Sequence, residues 1–493
     1  MSLYAHVKNL LIYIFLFPII GSLFLSLIPA SEEKFMRVVA LNVTGLSFTG
    51  CLLLFGFFHK GTGAFQYVLQ YPWFLGLNLN LTLGVDGISI FFLLLTTLLI
   101  PLCILASWNS VKSSLKEFLI TFLVLEFFLI GVFCTLDLVF FYIFFESVLI
   151  PMFLIIGIWG SRERKVLASY YFFLYTLFGS VLMLLSVLYI YWQVGTTDYQ
   201  LLLAFSFSEQ EQKFLWFTFF LAFASKIPMI PVHLWLPEAH VEAPTAGSVI
   251  LAGVLLKLGT YGFIRFSLPL FPQASFFFTP LVYAISASGV VYTSFTAIRQ
   301  TDFKRIIAYT SIAHMNLVIL GVFSFNTIGI EGAIFQSLSH GFVASALFLI
   351  IGVVYDRYRT RIVRYYGGLT SVMPIYATIF LFFTMANISF PGTSSFVGEF
   401  LILTGSFKVN TIITILSAMS IIIGGAYSLW LFNRIVYGNL KTQHTNTFLD
   451  ISAREFLIFL PLISGTFIMG IYPDIFLNPI HMSVNIMIEL LYF

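Results

Sequence analysis

The sequence predicts an all-α polytopic membrane protein with about fourteen transmembrane helices. Of its 493 residues, 59% are hydrophobic and only 9% are charged. Soluble proteins average about 45–50% apolar and about 25% charged residues. Apolar stretches close to the roughly 20 residues that a spanning helix needs recur fourteen times. The basic residues between these stretches also fall mainly on alternate loops, as they do in a multi-spanning protein.

The apolar stretches follow one another along the whole chain without an intervening soluble domain. We therefore treat residues 1–493 as one integral membrane domain. The stretches are 9–28, 36–58, 88–108, 115–135, 138–159, 168–193, 214–236, 246–268, 277–298, 305–324, 327–354, 373–406, 411–433 and 455–477.

The distribution of Lys and Arg supports both the number of stretches and their orientation. Loops on one side hold 17 of the 24 basic residues, and only five lie on the other side. Basic loops stay on the non-translocated side of the membrane. Both termini are therefore predicted on the translocated side. The 17 residues are Lys34, Arg37, Lys112, Lys116, Arg162, Arg164, Lys165, Arg299, Lys304, Arg305, Arg357, Arg359, Arg361, Arg364, Arg434, Lys441 and Arg454.

Two segments outside the stretches have their own patterns. Segment 60–87 mixes polar and aromatic residues that alternate in places, which predicts a hairpin on the translocated side. Within the C-terminal part, 455–493, the tail after residue 478 is apolar but short. We expect it to lie along the membrane surface.

Polar and proline residues interrupt stretches seven and twelve. Pro228 and Pro231 lie in the seventh, and the run from Asn387 to Ser394 lies in the twelfth. Broken membrane helices survive only inside protein or beside a water-filled cavity. The two breaks are five stretches apart, which predicts two inverted five-helix repeats, helices 4–8 (115–268) and 9–13 (277–433). Paired breaks in inverted repeats indicate a transport site near the midplane.

Lone charges lie where the middle of the bilayer is expected. A Lys or Glu there costs roughly 2.5–3.5 kcal/mol on insertion scales, so each is a candidate functional residue. Lys226 lies mid-stretch before the prolines, and Glu146 lies at the centre of stretch five. We expect these two to pair, each setting the protonation of the other. A static pair that only fixes helix packing is the alternative.

Further ionisable groups lie at similar depth. Lys257 is flanked by Gly253 and Gly259, which allow close helix approach. Lys257 could pass a proton on from Lys226. His314 and His340 titrate near neutrality and suit a relay, although packing roles are equally open.

Two glutamates complete the set. Glu399 follows the second break and is a candidate terminal exchange group. Glu126 is isolated in stretch four and is a candidate contact with a neighbouring subunit. Together these groups indicate a membrane protein that moves protons or small ions.

Metal and nucleotide chemistry are not indicated. His233, Glu238, His240 and Glu242 cluster near a predicted membrane edge, where a loop cap or a proton entrance is favoured over a zinc site. The three cysteines are single, without a CxxC pair. No nucleotide-binding loop is present, and no nucleic-acid partner is expected.

Several strings in the sequence resemble one family. Residues 234–248 read LWLPEAHVEAPTAGS and follow shortly after a KIP string at 226–228. FES at 145–147, KRIIAYTSIAH at 304–314 and FVGEF at 396–400 occur in the expected order. This pattern resembles the antiporter-like subunits of NADH:quinone oxidoreductase, respiratory complex I. Glu399 favours one of its three large branches, because the other two typically have Lys there.

The resemblance implies roles for the same residues. Glu146 and Lys226 resemble the proton-modulating pair and Lys257 the central bridge. His314 and His340 fall along the polar axis, and Glu399 resembles the exit-side group.

The resemblance also implies the setting of the chain. It would be a membrane-arm subunit of the mitochondrial inner membrane, with both termini facing the intermembrane space, translocating protons while other subunits pass electrons from NADH to ubiquinone. FMN, iron–sulfur clusters and ubiquinone are expected in those other subunits, and no cofactor is expected in this chain. Expected partners are other membrane-arm subunits, including flanking antiporter-like chains, and the lipid bilayer, with cardiolipin as a candidate lipid.

Three alternatives stay open from the sequence. An Mrp-type cation/proton antiporter subunit would use the same Lys and Glu residues. A structural membrane spacer would tolerate Lys226→Ala. A chloroplast-type relative would purify with a ferredoxin-dependent complex.

Overall fold

The computed structural model describes residues 2–74, 76, 78–441 and 449–492. Most of them are helical, and the structure describes one two-stranded sheet. The helices and strands are α1 Ser2–Leu27, α2 Glu33–Gly56, β1 Gln66–Phe74, β2 Leu79–Val85, α3 Ser89–Ala106, α4 Leu115–Cys134, α5 Leu138–Ser147, α6 Leu149–Trp159, α7 Lys165–Val194, α8 Tyr199–Leu202, α9 Glu209–Lys226, α10 Trp235–Glu242, α11 Thr245–Ile250, α12 Leu256–Gly262, α13 Leu268–Leu270, α14 Pro272–Ile298, α15 Phe303–Val322, α16 Thr327–Tyr358, α17 Pro374–Asn387, α18 Ser394–Phe407, α19 Thr411–Val436, α20 Ala453–Ile471 and α21 Asp474–Tyr492.

The prediction of about fourteen spans is confirmed. Thirteen helices among the described residues are long and apolar enough to cross a membrane. Twelve of these match predicted stretches, and the thirteenth is α21. Stretches seven and twelve are each divided, into α9 with α10 and α17 with α18.

The centre of the bundle is formed by spans eight and eleven. The most apolar part of Thr245–Leu270 is 100% buried and that of α16 is 94% buried, against 28% for α19. Lys257 and His340 lie on these two innermost spans. An ionisable residue there has no route to lipid headgroups and must find partners inside the protein.

The seventh span breaks after Lys226, as the prolines predict. Pro228 and Pro231 have no amide hydrogen to donate, so the regular ladder stops. The indole Nε1 of Trp235 donates to the Ser225 carbonyl at 2.9 Å and satisfies one group near the break.

The sequence that follows this break is helical. We expected a loop cap or a proton entrance at a membrane edge here. The prediction of a loop is wrong, because Trp235–Glu242 form helix α10. His240 lies in helix α10 and is fully buried. The prolines break the span but do not end it, because the chain re-enters the bundle as α10.

The twelfth span breaks between Asn387 and Ser394. Gly392 has a φ of +92°, which favours glycine. The amide of Asn387 donates to Ser428 at 3.1 Å, and the hydroxyls of Ser339 and Ser394 lie 2.7 Å apart. The broken ends therefore contact polar side chains of α16 and α19.

The predicted hairpin is confirmed, and the tail forms a longer helix than expected. Strands β1 and β2 pair in antiparallel fashion. In α21 the Ser483 hydroxyl accepts from the Gly87 amide at 3.1 Å, and the Tyr492 hydroxyl donates to the Phe325 carbonyl at 3.2 Å. Gly87 and Phe325 both precede a span that starts at the same end of the bundle. Helix α21 therefore lies across that end.

The two five-helix units share a local arrangement. Asp137 caps the start of α5 and forms a β-bridge with Asp198. Asp302 caps the start of α15 and forms a β-bridge with Ile362. Helices α5 and α15 begin the second span of their respective units. Equivalent positions thus make equivalent contacts, and the inverted repeat itself stays a prediction.

Candidate functional site

Lys257 lies where the central span changes its winding. Residues Leu251–Leu255 form a π-helical segment just before α12, and such segments are frequent at functional sites. The Lys257 amine is fully buried and donates to the Ala252 carbonyl at 2.6 Å. It also lies 2.8 Å from Nδ1 of His340. None of the described carboxylates forms an ion pair with it.

The two predicted histidines continue from Lys257. The rings of His340 and His314 are 5.9 Å apart between centroids. Nδ1 of His314 lies 2.9 Å from Oε1 of Glu399. The buried Nε2 atoms of both imidazoles have no hydrogen-bond partner within the described part of the chain. Four predicted residues thus form one line, which we call the central chain: Lys257, His340, His314 and Glu399.

Glu399 has a further partner that sequence reasoning missed. The Gln336 amide donates to the same Oε1 atom at 3.1 Å. The sequence analysis selected charged and ionisable residues in apolar stretches, and the Gln336 amide is neutral. Its position on α16, one helical turn before His340, could have identified it as a candidate. A cavity at the break in span twelve is lined by His314, Glu399, Asn387 and Tyr427. The central chain therefore ends at a small cavity beside the break in span twelve.

Lys226 and Glu146 are close enough to interact electrostatically, as expected, but they do not form a salt bridge in this conformation. Lys226 is 2% exposed, and its amine lies 4.6 Å from the centre of the Phe145 ring. Neither the Lys226 amine nor Oε1 of Glu146 has a hydrogen-bond partner among residues that the structure places. Phe145, next to Glu146 in sequence, thus faces the lysine.

Lys226 is also separate from the central chain. A Cβ atom on Gly259 would lie 2.5 Å from Ile227 and 2.8 Å from the Phe223 carbonyl, so α12 packs directly on α9. This matches the expected close approach at the glycines beside Lys257. No described hydrogen bond joins Lys226 to Lys257, so a proton passing between them needs water or a side-chain movement.

Glu126 has a different place from the one predicted. Its side chain is fully buried between α2 and α4, and its Oε1 accepts from the Ser47 hydroxyl. A side chain without exposed surface does not contact a neighbouring subunit. The expectation of an inter-subunit contact is therefore wrong, because Glu126 faces α2 of its own chain.

Three basic residues counted outside the spans are buried, namely Lys304, Arg265 and Arg361. The Lys304 amine, 2% exposed, donates to the Ala243 carbonyl at 2.7 Å. Arg265 forms a buried ion pair with Asp86 at 2.6 Å. Sequence position at the end of an apolar stretch could not reveal these tertiary partners. The remaining basic residues still lie mostly on one side.

The His233–Glu242 cluster does not assemble as metal ligands. His240 stacks on Phe348 with ring centroids 4.5 Å apart. In the described ranges no three His, Cys, Asp or Glu side chains come together in a way that could hold a metal ion. The three cysteines are buried free thiols.

Two family models match the sequence. Residues 135–424, which include the whole central chain, match the transmembrane model described as NADH:quinone oxidoreductase/Mrp antiporter. Residues 12–134 match the amino terminus of NADH-ubiquinone oxidoreductase chain 4. Together the two matches span most of the protein.

Individual relatives agree with these models. NADH-ubiquinone oxidoreductase chain 4 of Chondrus crispus is 58% identical over 483 residues, which cover 98% of each chain. A chain of the respiratory complex I from Thermus thermophilus with bound NADH is 31% identical, with a TM-score of 0.89, and the match covers 98% of this chain and 99% of that one.

A third likeness extends to the fold alone. A chain of the Mrp complex from Dietzia sp. superposes with a TM-score of 0.85 over 100% of both chains, but is only 19% identical. The sequence similarity to chain 4 proteins is much higher. The chain belongs to the NADH:quinone oxidoreductase/Mrp antiporter family and, within it, to the chain 4 group of complex I membrane subunits.

Proposed function

We propose that this protein conducts protons across the mitochondrial inner membrane as a subunit of respiratory complex I. The protons would pass along the central chain in its interior. The observation that carries the proposal is the line from Lys257 to Glu399. Its first and last contacts are 2.8 and 2.9 Å long, within hydrogen-bond distance. Ionisable groups at this depth mark proton relays in membrane proteins.

A proton can move along this line with small displacements. Nδ1 of His340 accepts a proton from Lys257, and its Nε2 then releases one towards His314. One water between the two imidazoles is enough to bridge the ring separation of 5.9 Å. Glu399 receives the proton from His314 beside the cavity at the break in span twelve.

Lys226 and Glu146 are proposed as a modulating pair at the other side of this line. Lys226 rests against the Phe145 ring, and a cation–π contact contributes only about 0.5–2 kcal/mol. A small change in the complex could therefore move the ammonium towards Glu146 or towards Lys257. Such a movement would open or close proton supply to the central chain.

The remaining chemistry is assigned to other subunits. FMN, iron–sulfur clusters and ubiquinone would act there, and proton conduction here would be coupled to their electron transfer. Flanking antiporter-like chains and cardiolipin are the proposed neighbours. The bias of basic residues supports an orientation with both termini in the intermembrane space; Met1 and Phe493 themselves lie outside the described residues.

The two units 115–268 and 277–433 are proposed as inverted repeats. The shared Asp caps and β-bridges support this. One unit would then contribute Glu146, Lys226 and Lys257, and the other would contribute the two histidines and Glu399. The contact between Lys257 and His340 would then join the two units.

The decisive experiment is Lys257→Met in the assembled complex. Proton pumping and quinone reduction driven by NADH are measured in membrane vesicles, together with NADH oxidation by an artificial acceptor that bypasses the membrane arm. We expect pumping and quinone reduction to collapse while the artificial reaction persists. The matched control is Lys213→Met, because Lys213 is partly exposed, pairs with Glu209 and lies outside the central chain. Normal pumping in Lys257→Met would refute the proposal.

Purification tests the complex I assignment separately. The complex I subunit should co-migrate with flavin and iron–sulfur proteins. An Mrp-type antiporter would instead purify without them and exchange cations in the absence of NADH.

A further inference from the structure

A basic cavity lies at one end of the bundle, away from the central chain. It is enclosed by the ends of spans five, eight, ten and eleven and by the loop before α4, and its volume is about 320 Å³. That volume falls in the roughly 300–1,000 Å³ range of ligand sites in proteins. Among the described residues, four cations and one carboxylate, Asp356, line it. The cations are Lys112, Lys165, Lys304 and Arg359.

Lys304 lies at the floor of this cavity and is only 2% exposed. Its amine donates to the Ala243 carbonyl at 2.7 Å and to the Ser248 hydroxyl at 3.3 Å. An ammonium has three N–H donors, so one of them has no partner in the described part of the chain. Both partners are neutral, and a buried charge is costly unless an opposite charge compensates it. The floor therefore suits an anionic group.

The carboxylates closest to Lys304 below the cavity are already shared with another cation. Glu242 and Asp302 both act electrostatically on Lys304. They also face the guanidinium of Arg361, which is 1% exposed, at 4.0 and 3.8 Å. With the lining residues included, five cations face three carboxylates. This excess of positive charge attracts an anionic partner.

Hydrogen bonds hold the walls of the cavity in place. The indole Nε1 of Trp159 donates to the Ser113 carbonyl at 3.0 Å and ties the end of span five to the loop before α4. The Ser161 amide donates to the Glu242 carbonyl at 3.0 Å and ties the same end to α10. A site that is formed in advance loses little conformational entropy when a partner binds.

The position of the cavity favours a protein partner over a lipid. Lys112 and Arg359 are exposed at its rim, and the rim lies in loops at the aqueous end of the helices. The floor lies over span eight, whose most apolar part is 100% buried and is therefore shielded from the bilayer. More than half of the lining residues are polar or charged, so acyl chains would find no apolar path here. Because the chain belongs to a group of complex I subunits, other proteins are available as partners.

We propose that the basic cavity is the docking site for an acidic segment of another subunit of the complex. Asp or Glu carboxylates of that segment pair with the four cations, and the deepest carboxylate accepts from the third N–H of Lys304. Complementary charge of this kind selects the partner and fixes its register. The inference rests on membership in a multi-subunit complex and not on the proton route, because none of the lining residues belongs to the central chain.

The test is zero-length crosslinking of the whole purified complex with a water-soluble carbodiimide. The reagent activates a carboxylate, and an amine in direct contact displaces the activating group to form an amide. Only paired Lys and Asp or Glu side chains are therefore joined. Crosslinked peptides are identified by mass spectrometry. We expect Lys112 and Lys165 to be joined to one acidic segment of another subunit.

Arg359→Gln tests whether the charge of the cavity holds this segment. The variant removes a rim cation but keeps both reactive amines. We expect the yield of crosslinks at Lys112 and Lys165 to fall by about two- to fivefold, the range for an exposed ion pair. The matched control is Arg299→Gln, because Arg299 is exposed at the same end but does not line the cavity. Its crosslink yield should be unchanged. Co-migration with flavin and iron–sulfur proteins verifies assembly of both variants.

Three results would overturn the proposal. An unchanged yield in Arg359→Gln would show that the charge of the cavity does not hold the segment. Loss of the crosslinks on adding inorganic phosphate, but not sodium chloride of equal ionic strength, would indicate a soluble-anion site.

Absence of inter-subunit crosslinks at both lysines would show that no acidic segment occupies the cavity. Acetylation rates would then identify what does. Acetylation of Lys112 as fast as that of the exposed Lys34 would mean that water fills the cavity, and slow acetylation would mean a neutral cover. Each of these results is independent of the pumping assay on Lys257→Met.

Discussion

The Nδ1 atom of His340 lies 2.8 Å from the amine of Lys257, deep inside the bundle. Two positive charges at that distance would repel each other by about 6 kcal/mol at an effective dielectric constant of about 20. The pair therefore holds at most one excess proton. When the ammonium donates to Nδ1, the imidazole carries its hydrogen on Nε2, which has no partner among the described residues. That nitrogen is free to pass a proton towards His314.

His340→Gln tests this relationship. The glutamine amide keeps hydrogen-bonding capacity but does not titrate, so it interrupts transfer without emptying the site. Proton-transfer groups in active sites contribute factors of about 10²–10⁴, and we expect NADH-driven pumping to fall by about tenfold or more. The measurement is the initial rate of vesicle acidification.

The matched control is His481→Gln on α21, since His481 is exposed and lies outside the central chain. Its pumping rate should stay near that of the unmodified complex. If His340→Gln pumps as well as His481→Gln, His340 has a packing role.

Gln336→Leu tests how Glu399 is held. The Gln336 amide donates to the carboxylate oxygen that also faces His314. A hydrogen bond to a charged group contributes about 1.5–3 kcal/mol. We expect Gln336→Leu to slow pumping partially, and Glu399→Gln to slow it more, because only the second change removes the titrating group.

Steady-state pumping and quinone reduction are compared across both variants and the control variant Gln300→Leu. The Gln300 amide donates to the nearby Thr296 carbonyl at 3.1 Å and does not contact the central chain. Gln300→Leu should behave like the unmodified complex. Equal losses in Gln336→Leu and Glu399→Gln would mean that the amide does more than position the carboxylate.

The sequence was sufficient to select the central chain because charges are rare in this protein. Each of Lys257, His314, His340 and Glu399 stands out against apolar neighbours. The sequence did not reveal the contacts between them, since His340 meets Lys257 across 83 positions and His314 meets Glu399 across 85. The first contact depends on how the two five-helix units pack, and the second on how α15 packs on α18 within one unit.

Other features were missed for physical reasons. Gln336 is neutral and carries no charge signal. Glu126 carries the same charge signal as Glu399, yet its partner Ser47 is an ordinary hydroxyl on another helix. The π-helical segment before Lys257 has no composition signal either. Gly253 lies in this segment and packs closely on α16, since an added Cβ atom would lie 2.6 Å from the Ser345 hydroxyl.

Lys226→Ala tests the proposed modulating pair. The lysine contacts the Phe145 ring and lies outside the central chain. If it supplies protons to Lys257, its removal should lower both pumping and quinone reduction by about tenfold or more. NADH oxidation by the artificial acceptor should persist, and Lys213→Ala should be normal in all three assays. Normal pumping in Lys226→Ala would make Lys226 a packing residue, while the central chain would be unaffected.

Gly87→Ala tests the attachment of α21 to the end of the bundle. A Cβ atom on Gly87 would lie 2.0 Å from the Pro479 carbonyl and 2.9 Å from the Ser483 hydroxyl. A backbone carbonyl cannot rotate away as a long side chain can, so α21 must shift. Overpacking of this kind costs about 1–3 kcal/mol. We therefore expect α21 of Gly87→Ala to become sensitive to protease at a lower temperature in the assembled complex.

Gly61→Ala is the matched control, because its added Cβ meets nothing within 4 Å. Equal protease sensitivity in the two variants would show that α21 is held by other contacts, such as the Tyr492 hydroxyl on the Phe325 carbonyl.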